Sequence, residues 1–212
     1  MNRTSTGVMD PRRRRQLLMT AAHEFARAGF EHASLNSIIQ ACGMSKSSFY
    51  YYFTSKVALF DIVIDEAACA LASDLRVPAP ESLGADFWKQ IEDIFLRLLE
   101  LSARQPWYID LGKLFYLADV PVEGSQALKR CLARFAAWLD AALAAGRTSG
   151  AVRDDIPATL QAELVLAVLQ AMDRWSLHHS EDFVDDERQL LVTKQLAALR
   201  RLLAPESVTA PR

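Results

Sequence analysis

The segment Ser34–Lys56 gathers side chains able to grip and read a nucleic acid. Ser45, Lys46, Ser47 and Ser48 stand side by side, short or flexible donors of the kind that reach base edges without clashing. Lys46 suits O6 and N7 of a guanine, and equally a phosphate; residue type alone leaves both open. Tyr50 and Tyr51 carry hydroxyls that can donate to phosphate. Lys56 adds charge where a helix N-terminus would also expose unpaired N–H groups. Ser34 suits the same task, either as a helix cap or as a cap that also meets phosphate. Tyr52 and Phe53 read instead as core, an aromatic pair sealing a short helix onto its neighbours.

The elements that must position this set are helices. Asp10-Pro11 makes a helix start, with proline in the first turn. Leu18, Ala21, Ala22 and Phe25 fall at i, i+3, i+4, i+7, and Gly29 ends the helix. Ser34 caps a second helix with Leu35, Ile38, Ile39 and Cys42 on its apolar side, and Gly43 suits its left-handed end. Ser45 caps a short third helix. Thr54 or Ser55 caps a long fourth one, with Phe60, Val63, Ile64, Ala67 and Leu71 on one stripe. Two short helices around a glycine turn, the second rich in small polar residues, make a helix-turn-helix pattern.

Charge distribution agrees. The net charge of −2 argues against a nucleic-acid binder. Yet residues 1–56 hold eight basic and three acidic side chains, while residues 57–212 hold 16 basic and 23 acidic ones. A basic head on an acidic body is the asymmetry expected when only the head meets phosphate. The run Arg12–Arg15 fits either phosphate attraction or a solvated face.

Gly29-Phe-Glu-His-Ala-Ser-Leu-Asn-Ser-Ile-Ile, then Ala-Cys-Gly-Met-Ser-Lys-Ser-Ser-Phe-Tyr-Tyr-Tyr-Phe-Thr-Ser-Lys-Val-Ala-Leu59, resembles the N-terminal domain of the TetR family of bacterial transcriptional regulators. Ser34, Ile38, Gly43, Ser45, Tyr50, Phe53, Lys56 and Leu59 match its pattern in register. Ile39 and Cys42 depart from smaller residues, and Ser47 stands where glycine is frequent. The resemblance covers about a quarter of the chain, and by it the protein is expected to be a repressor binding a palindromic operator as a dimer. It further implies one third helix in each of two major grooves, and a body ligand that pivots helix four to release DNA. The partners expected are therefore double-stranded DNA, a small-molecule effector and a second copy of the chain.

The fold expected is all-α. A three-helix DNA-binding domain at 1–56, preceded by a flexible tail to about Met9, joins through the long fourth helix to a larger ligand-binding and dimerisation domain at 57–212. Past Val77-Pro-Ala-Pro80, helices read as about 84–104, 106–118, 124–146, 157–179 and 185–204. Helix 157–179 is apolar nearly all round its middle, which predicts burial on more than one side. Helix 185–204 carries Val192, Leu196, Leu199 and Leu203 at near-heptad spacing. Together with Leu164 and Val168, these predict a two-fold four-helix interface; the alternative is that both helices complete the monomer core. For a pocket between helices, mostly apolar, Trp107, Phe115, Tyr116 and Trp175 are the candidates, with a largely apolar or aromatic effector.

Other chemistries find less support. Glu181, Asp182, Asp185, Asp186 and Glu187 lie beside His178 and His179, a set that could hold metal, although acids at a helix start also favour its dipole. No metal or cofactor is assigned. Nucleophile-elbow, phosphate-loop and dinucleotide fingerprints do not occur, so no enzyme is expected. Cys42, Cys69 and Cys131 are widely spaced and read as buried small hydrophobes. The apolar run Leu164–Leu169 is far short of the ~20 residues of a membrane span. With a polar, then arginine-rich N-terminus, the expected location is the cytoplasm.

Overall fold

The computed structural model describes residues 9–84, 86–117, 125–180 and 182–205. The regular elements among the described residues are all helices, without strands: α1 Pro11–His32, α2 Leu35–Ala41, α3 Lys46–Tyr52, α4 Lys56–Leu75, α5 Phe87–Arg104, α6 Trp107–Leu114, α7 Gln126–Thr148, α8 Ala158–His178 and α9 Asp185–Leu203, with a 3-10 turn at Pro80–Ser82. Local chemistry sets the early boundaries. Asp10 accepts from the N–H groups of Arg12 and Arg13 and caps α1. Gly29, at φ 78°, breaks α1 one turn before its end. Ser34, Ser45 and Ser55 each accept from the N–H three residues on, opening α2, α3 and α4. Gly43, at φ 58°, turns the chain between α2 and α3.

Packing divides the chain into two units. One contains the residues up to Ala70 with Trp107–Cys131, the other Leu71–Pro106 with the residues from Leu132 on. The boundary expected after residue 56 is not a packing boundary: most of α4, α6 and the start of α7 fold with the residues that precede it. Met9, assigned to a flexible tail from sequence, is buried here.

The first unit is built on Phe25, Phe30 and Phe60, whose rings meet at 5.2–5.9 Å. Leu17, Ile38, Phe49, Phe53, Leu59 and Ile64 are fully buried around them. Polar struts hold α4 in place. Arg14 of α1 forks onto Glu66, the Ser125 hydroxyl donates to Asp61 at 2.7 Å, and Arg130 of α7 pairs with Asp65 at 2.6 Å. His23 of α1 meets Asp110 of α6 at 3.0 Å.

The second unit packs Leu83, Phe87 and Ile91 against Leu139, Leu143, Val152, Val165, Leu199 and Leu203. Gly146 is required here: a Cβ on it would lie 2.5 Å from Val152 and 2.9 Å from Phe87. Arg147 and the buried Gln161 tie the α7–α8 connection through the carbonyls of Arg153, Asp154 and Ile156.

Helix α8 departs from expectation. Of its side chains only Gln161 and Val165 are buried, and Leu160, Leu164 and Trp175 are 39–45% exposed. An all-round apolar helix needs cover on several sides, and the second unit covers only one. Nor are the cysteines buried: Cys69 is exposed and Cys42 and Cys131 are half-buried. Cys69 falls outside the Phe60–Val63–Ile64–Ala67 stripe that α4 turns inward.

Candidate nucleic-acid interface

Helix α3 buries Phe49 and, at its end, Phe53, whose rings pack at 5.2 Å. Anchoring through these positions leaves the opposite stripes outward. Ser45, Lys46, Ser47, Tyr50 and Tyr51 are exposed, and Ser48 is half-buried. Tyr50 and Tyr51 are 51% and 71% exposed, large values for aromatic rings. Tyr52 is half-buried, edge-on to Tyr51, so of the expected core pair only Phe53 is fully enclosed.

The serines hold the frame as well as line it. The Ser45 Oγ accepts from the Ser48 N–H and shares a 3.1 Å hydrogen bond with the Ser47 hydroxyl. At the start of α2, the Ser34 N–H donates to Glu24 Oε1 at 3.0 Å, and its Oγ accepts from Ser37. A hydroxyl that accepts a cap bond still has its own proton to give, so Ser34 can cap and meet phosphate together. Glu24 is itself buried and paired with Arg27 at 2.8 Å. Burial alone would push its carboxyl up. The hydrogen bonds from Arg27 and the Ser34 N–H, with the charges of Arg27 and His23, outweigh burial and hold it below the ordinary glutamate range.

Lys56 has a structural task invisible from spacing. Its Nζ donates to the carbonyls of Phe30, Glu31 and Ala33 at 2.9, 2.8 and 3.2 Å, and lies 5.3 Å from the centre of the Phe30 ring. An ammonium has three protons, and all three are engaged. What remains for a phosphate is its charge and the free N–H groups opening α4. In the arginine run, Arg13 donates to the Gly43 carbonyl at 3.0 Å and Arg14 holds Glu66, while Arg12 is exposed. Sequence reasoning missed Glu24, and it read Arg13 and Arg14 only as phosphate-attracting or solvated, because Ser34, Gly43 and Glu66, their partners, lie 10–52 residues away.

The candidates for a ligand site do not gather in one unit. Trp107, Phe115 and Tyr116 are half-buried in the first. Trp175 belongs to the second, 42% exposed and stacked on His179 at 4.2 Å. The second unit also has two open grooves. One of about 430 Å³ is lined by Trp88, Lys89, Glu92, Leu196 and Arg200; another of about 350 Å³ lies between α5 and the start of α9. Of the residues read as an interface, Leu164 is exposed and Val168, Val192 and Leu196 are half-buried. Leu199 and Leu203 are 4% and 3% exposed, members of the unit's own core, and have no surface to give a second copy.

Two of the acidic residues act at the start of α9, where Asp185 pairs with Arg188 at 3.6 Å. Glu187 accepts from the Val184 N–H, and His178 and His179 bond carbonyls one turn back in α8. Glu181 lies outside the described residues, among which no three metal-ligating side chains come together. No helix of the described residues is long and apolar enough to cross a membrane.

Residues 17–63 match the family model described as bacterial regulatory proteins, tetR family. The uncharacterized HTH-type transcriptional regulator YdgC of Bacillus subtilis (strain 168) is 42% identical over 53 residues, 25% of this chain; the chain covers 27% of that relative's length. Over most of the chain the fold is similar to two solved structures. The fatty acid degradation regulator FadR of Bacillus halodurans superposes with a TM-score of 0.71 at 16% identity, over 88% of this chain and 97% of that one. FadR of Bacillus subtilis, in complex with stearoyl-CoA, gives 0.67 at 15% identity, over 90% and 98%.

Proposed function

Because the chain carries the N-terminal domain of the tetR family of bacterial regulatory proteins, we propose that it is a DNA-binding transcriptional regulator. It acts as a repressor, as a dimer on a two-fold operator, and a largely apolar ligand held by the rest of the chain releases it. The observation that carries this reading is the exposed edge of α3, capped by Ser45 and anchored by Phe49 and Phe53.

Placed in a major groove, that edge brings Lys46 to base edges while Ser34, Tyr50 and the N-terminus of α4 fix register on phosphate. A two-fold partner accounts for the exposed Leu160, Leu164 and Trp175 of α8, which a monomer would leave in water. A route for the ligand signal exists within the first unit. There α6 is tied to α1 by His23 and Asp110, and α7 to α4 by Ser125 and Arg130. Movement of α6 and α7 therefore reaches the helices that hold α3. An apolar, acyl-type ligand agrees with the stearoyl-CoA bound by one protein of similar fold.

The test is a gel-shift titration on DNA flanking the protein's own coding sequence, with and without long-chain acyl-CoA. Binding that weakens about 10³-fold or more between 50 and 200 mM salt is expected for six or more phosphate contacts, and the acyl-CoA should weaken it further. DNA binding absent at low salt removes the reading.

A further inference from the structure

On the reading that α3 enters the major groove, we propose that Tyr51 is a specificity-determining residue whose ring packs on the C5-methyl group of a thymine in each half-site. The reading edge is poor in hydrogen-bonding readers. Lys46–Tyr52 contains no Arg, Asn, Gln, Asp or Glu, the side chains that address adenine and cytosine and most often guanine. Ser45 and Ser47 are bonded to each other, and Ser45 also holds the Ser48 N–H. Lys46 is left as the long polar reader. The other large side chains of the exposed edge, Tyr50 and Tyr51, are aromatic.

Of the two exposed rings, Tyr51 is the freer and the better aimed. It is 71% exposed, against 51% for Tyr50, whose ring packs edge-on to buried Phe49 at 5.4 Å. A helical side chain leans toward the helix N-terminus and covers the turn before its own Cα. Tyr51 therefore lies over Ser47, whose small side chain leaves the space open. That turn is the one that approaches base edges. The edge-on contact with Tyr52, at 5.0 Å and 86°, steadies the ring. The thymine methyl is the apolar mark by which the major groove distinguishes one base from the others. It is what an exposed ring can read.

The test begins with selection of duplexes from a random pool by the full-length protein. Each thymine of the selected site is then replaced singly by deoxyuridine, which deletes only the methyl. The native protein should lose about fourfold at one thymine per half-site, and about sixteenfold with both replaced, the change expected for one methyl-sized group leaving an apolar contact. Tyr51→Phe should keep this sensitivity, and Tyr51→Ala should bind more weakly and be indifferent to the replacement. Indifference of the native protein at every thymine, or loss of binding in Tyr51→Phe equal to that in Tyr51→Ala, would overturn the proposal and make Tyr51 a phosphate contact. Those outcomes leave the regulator reading intact, whereas failure to select any sequence counts against that reading itself.

Discussion

Replacing Lys56 by methionine should destabilise the protein before it affects any operator. Methionine preserves an apolar stem over the Phe30 ring but removes three ammonium protons from the carbonyls of Phe30, Glu31 and Ala33. These carbonyls need an outside donor because Gly29 breaks α1 and leaves its last turn isolated. The Glu31 bond is exposed and water replaces it; the other two are partly buried. At about 1 kcal/mol net for each of those two, the loss is about 2 kcal/mol. For a chain of this size that is a fall in Tm of about 4–8 °C. The assay is thermal unfolding without DNA, followed by operator affinity at a temperature where both proteins are folded. Lys56→Arg should rescue poorly, since a planar fork cannot meet three converging carbonyls as an ammonium does. An unchanged Tm with uniformly weakened DNA binding would refute the reasoning and make the Lys56 side chain a phosphate ligand.

Glu24→Gln should cost about 1 kcal/mol, since the Ser34 N–H keeps an acceptor while Arg27 loses its charge partner. Because the Glu24 carboxyl is held below its ordinary range, its contribution is full at neutral pH. It disappears as pH falls through that lowered value, so acid titration of stability should be shallower in the variant. Gly146→Ala forces a methyl against Val152 and Phe87 and should lower stability by about 1–3 kcal/mol in urea unfolding. Leu164→Lys places a charge on an exposed site of α8. It should leave the Tm of the single chain nearly unchanged and shift the mass measured by light scattering toward the monomer.

Much of the fold is legible in the sequence because its controls are local. Ser34, Ser45 and Ser55 cap within three residues, and Gly29 and Gly43 adopt backbone conformations that few other residues accept. The all-α class and the tetR resemblance of the N-terminal segment follow from such features. The roles of Lys56, Glu24 and Arg13 were hidden because each depends on a carbonyl or amide brought near only by tertiary folding. Heptad spacing on α9 equally could not separate Leu199 and Leu203, which fill the core, from Val192 and Leu196, which are half-buried. Both kinds of position satisfy the same apolar period. Trp175 is grouped with Trp107 in the sequence because the apolar helix 157–179 is expected to face the segment after Pro106; the two lie in different units.

The central claim, that α3 and its two-fold mate read an operator, is tested most directly by hydroxyl-radical footprinting of the native protein on DNA flanking its coding sequence. The account predicts two protected patches related by a dyad, their centres about 34–36 Å apart, lost at high salt. A single protected patch without symmetry, or protection insensitive to salt, would contradict it.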